Sequence, residues 1–116
     1  MSEKTLFQNP MRVQSAATTG TGGVFKPMGQ TRSLTAVLQG NGTTSGGTIL
    51  LEHAYWDDTD PTYSGTWTLL STLTASDVSG GKQIAVFAQG SFWAVRARIS
   101  SDITGGGSVT VTLWGN

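Results

Sequence analysis

Asp57, Asp58 and Asp60 lie between Trp56 and Tyr63, so three carboxylates and two aromatic rings share eight residues of a chain with only 12% charged residues. A hard cation such as calcium takes six to eight oxygens and could draw several from these aspartates, but the spacing lacks the glycine and the closing bidentate glutamate of an EF-hand loop. A sugar would use the set differently, stacking on Trp56 and Tyr63 while the aspartates accept its hydroxyl hydrogen bonds. The same residue types also build an ordinary solvated connection, and the stretch falls between two apolar runs. A plain loop is therefore the first expectation, and a loop touching a glycan or a protein partner the alternative.

Catalytic chemistry finds little to work with. His53 is the only histidine, and it sits inside the apolar run Ile49-Leu50-Leu51-Glu52-His53-Ala54. No serine stands in a nucleophile elbow such as G-x-S-x-G, so a Ser-His-Asp arrangement has no anchor, and a partly buried, hydrogen-bonded strand histidine is expected instead. One imidazole and no cysteine leave no zinc set. Glu52 and Asp57 are the nearest approach to a glycosidase carboxylate pair, and their spacing does not support one. The glycine runs lack the helix that a phosphate cradle requires. We expect no enzyme, no cofactor and no metal.

The next chemistry-bearing residues are Arg96 and Arg98. In Phe92-Trp93-Ala94-Val95-Arg96-Ala97-Arg98-Ile99-Ser100, strand alternation turns Val95, Ala97 and Ile99 one way and the two arginines the other. Planar guanidiniums on one face suit bidentate contact with an acidic partner or a neighbouring subunit, or simply keep an outer face solvated. Trp67, Trp93 and Trp114 read as packing residues of a core or sheet edge, rings large enough to weld two sheets.

Strands must carry these residues. Sixteen glycines, 18 threonines and 12 serines favour short pleated strands joined by tight turns. No window shows a 3.6-residue apolar period, whereas period-2 runs recur at about 11–18, 32–39, 48–56, 66–73, 82–89, 92–100 and 108–114. Between them, the glycine-bearing stretches 20–23, 40–47, 79–81, 89–91 and 104–107 read as hairpin ends rather than linkers. The expectation is an all-β antiparallel sandwich of seven to eight strands, jelly-roll-like, over residues 11–116. Residues 1–10 form a separate N-terminal arm with Leu6, Phe7 and Pro10, which either tucks onto its own core or reaches a neighbour. Many ordered glycines make such a domain modestly stable alone and responsive to docking.

Seven Lys/Arg balance seven Asp/Glu, so no strong field recruits nucleic acid or an anionic membrane. The first ten residues lack a signal-peptide apolar run, and no apolar segment approaches the ~20 residues that span a bilayer. The chain reads as a soluble protein made in a cytoplasm.

The order Gly46–His53, Gly65–Leu73, Phe92–Ser100 and Gly105–Trp114, with Met11–Gly23 as a first strand, resembles the small β-sandwich virion proteins of tailed bacteriophages. In that class a W-x-x-L strand, a V-R-x-R-like strand and a Gly-Ser-Val-Thr-Val closing strand recur in this order. The resemblance implies a non-enzymatic capsid decoration (cement) protein, made in the host cytoplasm and placed on the capsid surface. Its partners would be the major capsid protein and further copies of itself, a homo-oligomer for which a trimer is one option. Leu6, Phe7, Pro10, Arg12, Arg96 and Arg98 are the candidate capsid or subunit contacts. The longer stretch 52–67 departs from the tight D-G turn of that class. The alternative is a carbohydrate-binding module or small subunit of the tail, baseplate or neck, with Trp56, Asp57, Asp58, Asp60 and Tyr63 holding a host glycan.

Overall fold

The computed structural model describes residues 10–26, 31–54 and 66–115, with Thr31, Arg32 and Ser91 described by backbone alone. Among them run eight strands and one short 3-10 turn: β1 (Met11–Ala17), β2 (Val24–Phe25), β3 (Thr31–Asn41), β4 (Gly46–Ala54), β5 (Thr68–Thr74), η1 (Ala75–Val78), β6 (Gln83–Phe92), β7 (Ala94–Thr104) and β8 (Ser108–Gly115). They form two four-stranded sheets, β1-β8-β3-β6 and β2-β7-β4-β5, antiparallel throughout. Every connection except β4 to β5 passes from one sheet to the other, which wraps the chain as a jelly roll, so the stretches 20–23, 40–47, 79–81 and 104–107 carry the chain between sheets and are not the hairpin ends expected. The all-β sandwich expected from composition and periodicity is the architecture found.

The strands follow from alternation. Leu34, Ala36 and Leu38 of β3 are buried while Thr35, Val37 and Gln39 between them are half-buried; in β8, Val109, Val111 and Leu113 are buried and Thr110, Thr112 and Trp114 lie on the other face. Val95, Ala97 and Ile99 of β7 meet these rows from the opposite sheet, together with Ile49 and Leu51 of β4. Burying each leucine, isoleucine or valine of these rows contributes about 1.5–3 kcal/mol, which sets this register against a one-residue slip.

Three further expectations need correction. The tryptophans do not weld the sheets: Trp67 and Trp93 are half-buried and Trp114 is 37% exposed, while Phe25 and Phe92 supply the buried rings. Rings as wide as indole do not fit between closely packed rows of Val, Ala, Ile and Leu, so they fall to the margins. Second, Gln89-Gly90-Ser91 is not a turn. It lies inside β6, where the register jumps from Ser33↔Gln89 to Thr31↔Phe92, a bulge that Gly90 permits at φ +153°. The change of sheet instead comes at Trp93, between β6 and β7. Third, the two-residue β2, pairing with Arg96 and Val95 of β7, was not expected. Two residues are too few to carry a period.

A polar tie joins the two layers. Gln14 of β1 is 4% exposed and its Nε2 donates to the Ala97 carbonyl of β7 at 2.7 Å and to the Gly20 carbonyl at 3.1 Å. Register shifts flank Gln14 on β1, and Ala16 adopts φ +48°, a conformation non-glycine residues seldom take. The bulged strand turns the amide inward, where its carbonyl partners repay the desolvation of a buried side chain.

Candidate functional site

Glu52 anchors the one described cluster of charge. It sits on β4 directly opposite Arg96 of β7, and Leu50, two residues back on the same face, faces Arg98. Arg96 donates from Nε to Glu52 Oε1 at 2.9 Å; Arg98 donates from Nε to Oε1 and from Nη2 to Oε2, both at 3.2 Å. The Arg96 guanidinium also lies over the Trp67 ring, 4.1 Å from its centroid. Glu52 is only 7% exposed although it points to the outer face of its sheet, because two arginines roof it.

The electrostatics follow from that geometry. The Arg98 hydrogen bonds pull the Glu52 carboxyl below its ordinary pKa, burial opposes the shift, and Arg96 reinforces it; the Arg98 pKa is raised in return. A general acid at neutral pH needs the opposite shift, so Glu52 is tuned as a fixed anion. The two arginines read as available for a partner are therefore held within the chain, with Arg98 keeping 36% of its side chain exposed. All three ions of this ladder were visible in the sequence, but their pairing required the β4–β7 register.

The other sequence-derived site residues are scattered. Arg12 is exposed on β1, opposite Thr112, and Pro10 is exposed just before β1. Leu6 and Phe7 fall outside the described residues, as do Trp56, Asp57, Asp58, Asp60 and Tyr63. His53 is half-buried on β4 and meets the Phe92 ring edge-on, with centroids 5.6 Å apart and planes at 82°. Among the described residues no group of three metal-ligating side chains exists.

Sequence reasoning missed a different surface. On the outer face of the β1-β8-β3-β6 sheet, the registers place Trp114, Thr35 and Phe87 in one row across three strands, then Thr112, Val37 and Ala85, then Thr110, Gln39 and Gln83. None of these carries a charge, and Phe87 is 75% exposed. Arg12 borders the face at β1. The signal was present as parity, since Phe87 shares its face with Gln83, Ala85 and Gln89 rather than with the inward Ile84, Val86 and Ala88. Compared with protein-family models, with curated proteins and with solved structures, the chain matches none.

Proposed function

We propose that this chain is a non-enzymatic structural protein of a tailed-phage virion, a capsid decoration protein that docks on the major capsid protein lattice through the outer face of β8, β3 and β6. The observation that carries this reading is the uncharged face with Phe87 and Trp114 exposed on it. Large apolar rings surrounded by Thr, Gln and Ala lose little on desolvation, whereas a charged face would resist it. Aromatic side chains are also the usual anchors of protein interfaces.

The sequence resemblance supplies the identity of the lattice, and the jelly-roll wrapping is compatible with it. The same wrapping serves sugar-binding domains, so the fold alone does not choose. The mechanism is mass action: a copy that binds the mature lattice and not its dissociated subunits stabilises the lattice by its own binding free energy. The first-ten-residue arm adds a second attachment, whose linkage to the face raises avidity without new contacts elsewhere.

Cosedimentation of the purified protein with mature capsids of the phage that encodes it tests this reading. We expect binding that Phe87→Ser and Trp114→Ser abolish while both variants keep the wild-type circular dichroism. Removal of residues 1–10 from the otherwise intact chain should weaken binding without abolishing it. No binding by the intact chain, coupled with retention on host polysaccharide, would transfer the assignment to a glycan-binding tail or baseplate module.

A further inference from the structure

We propose that two copies of this chain pair edge to edge through β6, antiparallel, about a two-fold axis at Val86. β6 ends its sheet, with β3 on one side and no described strand on the other. The Gly40 N–H donates to the Lys82 carbonyl at 3.0 Å, which continues the β3–β6 register. Antiparallel alternation then turns the backbone of Ile84, Val86 and Ala88 toward β3 and that of Gln83, Ala85, Phe87 and Gln89 toward the open edge.

Exposed edges are normally blunted by lysine, proline or an inward charge, because unpaired backbone groups template further strands. β6 (Gln83–Phe92) carries none of these, and its bulge at Gly90 lies beyond the flat stretch. That flat stretch, Gln-Ile-Ala-Val-Phe-Ala-Gln over residues 83–89, has the same polar and apolar pattern in both directions. A two-fold at Val86 therefore sets Gln83 opposite the partner's Gln89, Ile84 opposite the partner's Ala88, and Ala85 opposite the partner's Phe87. Each pair lies on one face, as antiparallel partners must; Ile84 with Ala88 and Ala85 with Phe87 each set a larger side chain against a smaller one, and Gln83 meets Gln89.

The exposed Phe87 ring would cover the partner's Ala85 and reach the partner's Phe87 on the diagonal. No like charges are brought opposite one another. The other described edges fit less well. On β5 the register jumps across Leu70, from Leu51↔Ser71 to Glu52↔Leu69, and reversal about Ser71 sets Leu70 against Thr72. β1 is bulged on both sides of Gln14 and carries Arg12. The pairing uses the strand edge and docking the sheet face, and Phe87 and Ala85 belong to both; sedimentation of the chain without capsids reads the pairing alone.

Sedimentation equilibrium of the full chain over a dilution series gives the test, together with edge variants. We expect a wild-type dimer that Ala85→Lys, at an exposed site, halves in mass while leaving circular dichroism unchanged. Because the chain has no cysteine, Val86→Cys adds a single thiol. Across the axis it would face its own copy as a non-hydrogen-bonded pair, with Cα atoms about 4.5 Å apart and within disulfide reach. Oxidation should therefore cross-link Val86→Cys and the double variant Ile84→Cys/Ala88→Cys, but not Ile84→Cys alone. If Val86→Cys disturbs folding, the Ala85→Lys result decides. A monomer throughout the series, a dimer indifferent to Ala85→Lys, or a folded Val86→Cys dimer that does not cross-link would overturn the proposal. So would a dimer abolished by removing residues 1–10 and not by Ala85→Lys, which would give the edge to the arm.

Discussion

Glu52 shows how one residue ties pH to stability in this fold. Its carboxylate is held between Arg96 and Arg98, and its pKa lies below the ordinary value of 4.5. A carboxyl with a depressed folded-state pKa stabilises the fold above its unfolded pKa, and the contribution is lost as pH falls through the folded value. Urea unfolding should accordingly show wild-type stability declining below about pH 4.5. Glu52→Gln should be less stable at neutral pH by about 2 kcal/mol, since two arginines are left facing each other, and its acid-side decline should be shallower. Parallel pH profiles for the two proteins would contradict this account. Gln14 offers an uncharged counterpart. Gln14→Leu strands the Ala97 carbonyl inside the sandwich and should cost about 1–3 kcal/mol, read as a lowered denaturation midpoint with unchanged slope.

β3 passes η1 closely at Gly40. The Gly40 position leaves no room for a Cβ, which would strike the Val78 carbonyl, and Thr44 Oγ1 donates to the Ala75 carbonyl at 2.6 Å from a fully buried site. Gly40→Ala should therefore destabilise by more than about 2 kcal/mol. Gly80→Ala, where φ is +83° but open space surrounds the Cβ, should cost only about 1–2 kcal/mol. A shift for Gly40→Ala no larger than that for Gly80→Ala would mean that η1 yields to the added Cβ and that this contact is not tight. Strands such as β3, β7 and β8 were legible in the sequence because Leu34/Ala36/Leu38, Val95/Ala97/Ile99 and Val109/Val111/Leu113 repeat every second residue. The bulge at Gly90 was not, since glycine between polar neighbours spells a turn locally, and only pairing with β3 keeps the chain extended. Likewise, nothing local separates Val24-Phe25 from the surrounding glycines; β2 exists because β7 offers it an edge.

At the scale of the whole molecule, the sandwich has two unlike outer faces. One bears the Glu52–Arg96–Arg98 ladder, closed by its own ion pairs; the other presents Phe87 and Trp114 among threonine, glutamine and alanine. The first was half-legible, because alternation puts Arg96 and Arg98 on one face while their anion comes from another strand. The second was hidden, since Trp114, Thr35 and Phe87 are adjacent only after three distant strands align. Phe87→Ser removes a ring that is 75% exposed and should change folding stability by less than about 1 kcal/mol, whereas Trp114→Ser removes a ring that is 37% exposed and should cost about 1–3 kcal/mol; under the docking proposal each eliminates lattice attachment. The central claim, that this face exists to coat a capsid, is tested most directly by the ratio of this chain to the major capsid protein in purified particles, by quantitative mass spectrometry. The account predicts a copy number that scales with the coat protein. A small fixed number per particle, far below the coat, or absence from the particle, would contradict it.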